Sequence, residues 1–150
     1  QMHANLTRLG GIRYSLEEQA LAEEISDSLG VSDFVGMEKE ILRFELRQGM
    51  GSTDVGDVSW VVPTVGLRTS TWVPGTAPHS WQAIAAGGTS IGTKGMRVAA
   101  KALSLTARDL LLDPALIEAG RREFDRRRGE NFHYEALLGD RKPPLDYRVK

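Results

Sequence analysis

The sequence predicts an α/β fold, a partial domain in which a few strands of a mixed sheet pack with three or four helices. Three observations predict it. Apolar residues recur at helical spacing over 15–29 and again from Ile91 onward. Between those stretches, residues 58–73 are rich in strand-favouring Val, Trp and Thr. Loops rich in Gly and Pro, 49–57 and 74–80, bracket that strand region. Two strands alone make a poor sheet, so other chain is expected to complete it.

Each element has a local signature. Ser15 followed by Glu18 has capping-box spacing, Leu21, Ala22, Ile25 and Leu29 keep the helical period, and Gly30 offers a left-handed stop, which predicts a helix over 15–29. Residues 36–48 fit a short helix and an alternating strand about equally. The three glycines and two aspartates of 49–57 predict a loop. Val58, Trp60, Val61, Val62, Thr64 and Val65 read as one strand, weakened by Pro63, and 67–73 as a second.

After the 74–80 loop, Gly87-Gly88-Thr89-Ser90 prepares a helix start, and Ile91 to Leu112 supplies a long apolar face whose first turns are softened by Gly92 and Gly95. Asp113-Pro114 ends that helix and opens another, which runs to about Arg128 before Gly129. Arg126, Arg127 and Arg128 fall in its last turn, where cations suit the negative helix end. The tail from Glu130 reads as extended surface chain.

Composition bounds the function. The 150 residues fit one domain, and with 41% hydrophobic and 26% charged residues they can bury a core. A net charge of -1 gives no electrostatic reason for a nucleic acid or an anionic membrane as partner. The absence of cysteine removes thiolate chemistry and sulfur-ligated zinc, leaves His, Asp and Glu as metal ligands, and is compatible with a cytoplasmic protein. No apolar run approaches the roughly 20 residues that span a bilayer. Gln1 is no initiator, so a fragment or processed product is expected.

The candidates for chemistry sit in the two loops. Asp54 and Asp57 can ligate a metal, orient a histidine or cap turns, and in isolation turn formation is favoured. His79 can bind zinc or manganese through a neutral imidazole. His3, His79 and His133 are too far apart for a compact local motif, so spacing alone favours a hydrogen-bonded loop histidine. Gly87 to Ser90 is a weak anion-binding signal, Ser52, Ser59 and Ser80 lack a nucleophile-elbow context, and Trp60, Trp72 and Trp81 read as core or pocket wall.

Taken together, GSTDVGDVSW at 51–60, Pro63-Thr64, PGTAPHSWQ at 74–82, Gly88-Thr89-Ser90-Ile91 and Lys94-Gly95-Met96 resemble the C-terminal catalytic segment of p-aminobenzoyl-glutamate hydrolase-like amidohydrolases. These belong to the carboxypeptidase and aminoacylase family of dinuclear metallopeptidases. The resemblance implies hydrolysis of an N-acyl amino acid amide with two divalent ions, zinc or manganese, and a glutamate general base. His79 matches the family's last metal-binding histidine, Asp54 and Asp57 its supporting acidic loop, and Gly75 and Thr76 a loop bordering the substrate. The general base and the remaining ligands are expected before Gln1. Glu17-Glu18 and Glu23-Glu24 read as an ordinary solvated helix face and are not assigned that role.

A segment with one ligand should hold metal weakly and be inactive alone. The partners that follow are the remainder of its own catalytic domain or a complementary chain, a small N-acyl amino acid as substrate, and self-association through exposed apolar faces. The alternative is a non-catalytic binding module derived from the same fold.

Overall fold

A computed structural model describes residues 1–31, 35–46, 51 and 53–148. The chain divides into two units, Gln1–Gln48 with Gly66–Pro114, and Gly49–Val65 with Ala115–Lys150. Regular structure among the described residues is helical: α1 Met2–Leu9, α2 Leu16–Leu29, α3 Val55–Val61, α4 Trp81–Gly87, α5 Ser90–Leu112 and α6 Pro114–Arg128, with a 3-10 turn at Met37–Lys39. No described helix is long and apolar enough to cross a membrane.

The predicted α/β class is therefore corrected. The described residues contain no strand and no sheet. The first half of the first predicted strand, 58–61, is instead the end of helix α3, and 62–73 runs without ladder partners. Strand propensity in Val and Trp reflects packing on a pleated neighbour, and with no neighbouring strand the local backbone terms decide. Here they favour a turn of helix: the Thr53 hydroxyl accepts from Val55 N–H at 3.2 Å, and the Asp54 carbonyl accepts from Asp57 N–H at 3.1 Å. Gly49, Met50 and Ser52 of the predicted loop, and Arg47 and Gln48 of the ambiguous segment, lie outside the described residues. The rest of the ambiguous segment is neither long helix nor strand; it forms the 3-10 turn and then irregular chain to Leu46.

The first unit is built around α2. Its capping box forms as the spacing predicts, with Ser15 Oγ accepting from Glu18 N–H at 3.3 Å and Ser15 N–H donating to the Glu18 carboxylate at 2.6 Å. Gly30 takes the left-handed φ of 68° that ends the helix. Ala22 and Ile25 of α2, Val73, Ala86 of α4 and Ile91 of α5 form the core, with Tyr14, Leu21, Leu29 and Val35 packed around them. α1 lies on α5, where Asn5 donates to Asp109 at 2.8 Å and to Thr106 at 3.3 Å.

Two glycines of α5 do more than soften its start. A Cβ on Gly95 would lie 2.3 Å from the Ser70 carbonyl oxygen, and one on Gly92 would lie 2.3 Å from that of Gly87. Backbone therefore rests directly on backbone at both places, and this brings 70–73 against the helix.

The second unit has no buried residue among those described. α3 is joined to the closing segment by two side-chain contacts. Trp60 stacks on Phe132 with ring centroids 4.4 Å apart, and Tyr134 donates its hydroxyl hydrogen to Asp57 at 2.6 Å. Asp57 and Trp60 are three residues apart on one helix face, so a single extended stretch of chain reaches both.

Candidate functional site

The 74–80 loop of the first unit hangs between two fixed ends. At its start Val73 is buried in the core, and Thr76 N–H donates to the Val73 carbonyl at 3.1 Å, closing a turn that Gly75 passes at φ 90°. At its end Ser80 caps α4, its hydroxyl accepting from Ala83 N–H at 3.2 Å while donating to the Ala77 carbonyl at 2.7 Å. The following Gln82 is buried and donates to the Ser28 hydroxyl at 3.3 Å, tying α4 to α2.

Between those ends stands His79. It is exposed, and it is the one described non-glycine residue at positive φ, 62°. Histidine tolerates that conformation better than most residues, but it is uncommon for any side chain and clusters at functional positions. Thr76 adds a second unused group: its hydroxyl oxygen is buried and has no hydrogen-bond partner among the described residues. Trp81 and Ile84, 63% and 79% exposed, lie three residues apart on the outer face of α4, which begins two residues after His79. None of the three tryptophans is core in this chain.

Asp54 and Asp57 lie in the second unit, apart in chain from the 74–80 loop, and are described within it. Asp54 stands at the N-cap of α3 but makes no side-chain cap hydrogen bond. Asp57, in the first helical turn, accepts from Tyr134, and that bond to a carboxylate raises the phenol's pKa above its ordinary value. Tyr134 belongs to the stretch that resembles the family's closing segment, but its pairing with Asp57 is not legible in the sequence, because the contact spans 77 residues and no local pattern announces it.

Glu18 departs from the solvated face that its charge pattern predicts. It is buried, and its carboxylate pairs with Lys94 of α5, whose ammonium also donates to the Arg13 carbonyl at 2.9 Å. Burial by itself raises the Glu18 pKa, but hydrogen bonds from Lys94, Ser90 and the Ser15 backbone outweigh it and hold the group at about 2. This ion pair fastens the cap of α2 to α5 and belongs to the scaffold.

Among the described residues no three His, Asp or Glu side chains converge to hold a metal ion. A catalytic zinc takes three protein ligands. The donor set of the described residues does not fit a metal centre by itself, and His79 is a single imidazole.

Over 72 residues, 48% of this chain, the sequence is 43% identical to a subunit of the p-aminobenzoyl-glutamate hydrolase of Escherichia coli (strain K12), covering 15% of that protein. Over 75 residues, 49% of this chain, it is 40% identical to the Xaa-Arg dipeptidase of Mus musculus, covering 17% of that protein. The matched chain thus spans well under a fifth of the length of these curated relatives. No family model matches, and no solved structure matches. Half of the chain is therefore related to hydrolases of the amidohydrolase and peptidase kind, as the two loop motifs imply.

Proposed function

We propose that this chain is the C-terminal segment of the catalytic unit of a metal-dependent amidohydrolase, acting on an N-acyl amino acid such as p-aminobenzoyl-glutamate. One observation carries the proposal. The 74–80 loop holds an exposed imidazole at φ 62° three residues after a Thr76 hydroxyl that is buried and unpartnered, in a chain of which about half matches a hydrolase subunit and a dipeptidase. An exposed residue gains nothing in this chain from an uncommon backbone conformation, so the loop is shaped for a group that the rest of the catalytic unit brings.

In this reading His79 contributes one ligand to a zinc or manganese site completed by residues outside this chain. Gly75 leaves backbone open at the turn, and Gly75 and Thr76 together border the substrate. Trp81 and Ile84 present apolar surface suited to an acyl or aromatic portion. Asp54 and Asp57 take the supporting role that the resemblance implies, and the chain alone is inactive, since its described residues bring together no full ligand set. The remainder of the catalytic domain, or a complementary chain, supplies them.

The test uses the complete hydrolase that contains this segment, following release of p-aminobenzoate and bound metal by mass spectrometry. His79→Ala is expected to lower metal content and to cost more activity than the roughly 10–100-fold typical of partners outside the ligand set, whereas Asp57→Asn is expected to fall within that range. Full metal content and full activity in His79→Ala would sink the ligand assignment.

A further inference from the structure

α4 begins two residues after His79, and little apolar surface grips it. It leaves Trp81 and Ile84 in water and buries Gln82, Ala83 and Ala86. Ala83 and Ala86 bring one methyl group each, which seats the helix on the core but resists little turning about its axis. Gln82 is the one long side chain on the buried face. It is 8% exposed, and its Nε2 donates to Ser28 Oγ of α2 at 3.3 Å, across 54 residues of chain.

The acceptor is itself fixed. Ser28 Oγ donates to the Ile25 carbonyl at 2.7 Å, so the backbone of α2 sets the direction of its lone pairs. α2 in turn is held by its capping box, by Ala22 and Ile25 in the core, and by the pair of Glu18 with Lys94.

We propose that Gln82 is a positioning residue for His79: through Ser28 it fixes how far α4 is turned, and with it where the 74–80 loop delivers the imidazole. Its consequence for catalysis rests on the functional reading of His79 given above; its consequence for the loop does not. The loop's other attachments leave this freedom open. Val73 fixes the start, but Gly75 follows at φ 90°, and the two bonds of Ser80 stay within 77–83, so they travel with the helix. The Gln82 bond is the one described that ties this stretch to α2. Catalytic groups need holding to about 0.5 Å, and a displacement of about 1 Å can cost about 100-fold in rate.

Two measurements test this. In the 150-residue chain, nuclear magnetic resonance reads the order parameter of the His79 amide and its one-bond Cα–Hα coupling, which separates positive from negative φ. Wild type is expected to show positive φ and an order parameter of about 0.85. Gln82→Met keeps the length of the side chain and removes the donor, while Ser28→Ala removes the acceptor and carries the test if the methionine variant loses α4. Each is expected to drop the order parameter below about 0.6 with α4 still helical, and Ser28→Thr, which keeps the hydroxyl, to preserve it. In the complete hydrolase that contains this segment, the same two variants should slow p-aminobenzoate release about 10–100-fold in kcat. The double variant should lose no more than either single one, since all three remove one bond.

A wild-type order parameter in both single variants, a His79 already mobile in wild type, losses that add in the double variant, or a wild-type kcat in variants whose His79 has loosened overturns the proposal. Full activity in His79→Ala overturns instead the functional reading and the catalytic consequence drawn from it, while the order parameters still decide whether Gln82 holds the loop.

Discussion

The two units of this chain are held by different physics. The first has Ala22, Ala86 and Ile91 fully withdrawn from water, glycine contacts that admit no side chain, and a buried carboxylate paired with Lys94. The second buries no described residue and relies on a ring stack and a hydroxyl-to-carboxylate bond at its surface. Desolvated apolar contact is the dominant favourable term in folding, whereas exposed polar contacts contribute little. Val55, Val58, Val61 and Val62 remain 42–52% exposed in and beside α3. Of the two candidate loops, the one with His79 therefore stands on a rigid base, and the one with Asp54 and Asp57 requires further surface to become rigid.

The largest expected effect breaks the packed unit with one methyl group. In Gly95→Ala the new Cβ would meet the Ser70 carbonyl at 2.3 Å, and backbone cannot step aside as a side-chain end can. A loss of about 2 kcal/mol or more is expected in urea denaturation. Gly56→Ala in α3 makes the contrast, since a Cβ there meets nothing within 4 Å. That substitution should be neutral or gain up to about 1 kcal/mol of helix propensity. Equal losses for the two variants would erase the distinction between the units.

A smaller effect appears with acid. Glu18 titrates at about 2 in the folded chain against an ordinary 4.5, so its contribution is complete above pH 4.5 and is lost as pH falls from there toward 2. Glu18→Gln should be less stable than wild type at neutral pH, and the difference should shrink through that window. A wild-type chain whose stability is flat between about pH 5 and pH 2.5 would separate Glu18 from the scaffold.

What can be read from the sequence follows the same divide. The capping box, the left-handed Gly30 and the Asp113-Pro114 junction are all legible, because each depends on residues within a few positions of one another. α4 is not, although Ser80 caps it: its seven residues expose Trp81 and Ile84, and the apolar period is too short to register. The strands predicted over 58–73 fail because valine and tryptophan carry no strand instruction without a partner ladder, and the described chain provides none. Glu18 reads as solvated because its partner lies 76 residues away, beyond every local window on the charge pattern of α2. The string at 74–82 that carries the resemblance is visible in the sequence, but the left-handed turn at His79 and the orphaned Thr76 hydroxyl are properties of the folded loop.

The smallest expected effect sharpens the comparison from the other side. Tyr134→Phe removes the hydroxyl that holds Asp57, and the loss should stay within the second unit. Amide exchange is expected to quicken over 53–61 and 130–136 while α2 and α5 keep their wild-type protection. The hydrogen bond favours the neutral phenol, so in wild type the interaction is present below the ordinary tyrosine pKa of 10 and is lost as pH rises through the raised value. Ultraviolet titration should therefore show Tyr134 ionising late, together with Tyr14, whose pKa burial and the nearby Glu38 and Glu18 also raise, and Asp57→Asn should return only the Tyr134 transition toward 10. If exchange in α3 does not respond to Tyr134→Phe, the ring stack of Trp60 on Phe132 alone holds the closing segment, and Asp57 is free for another partner.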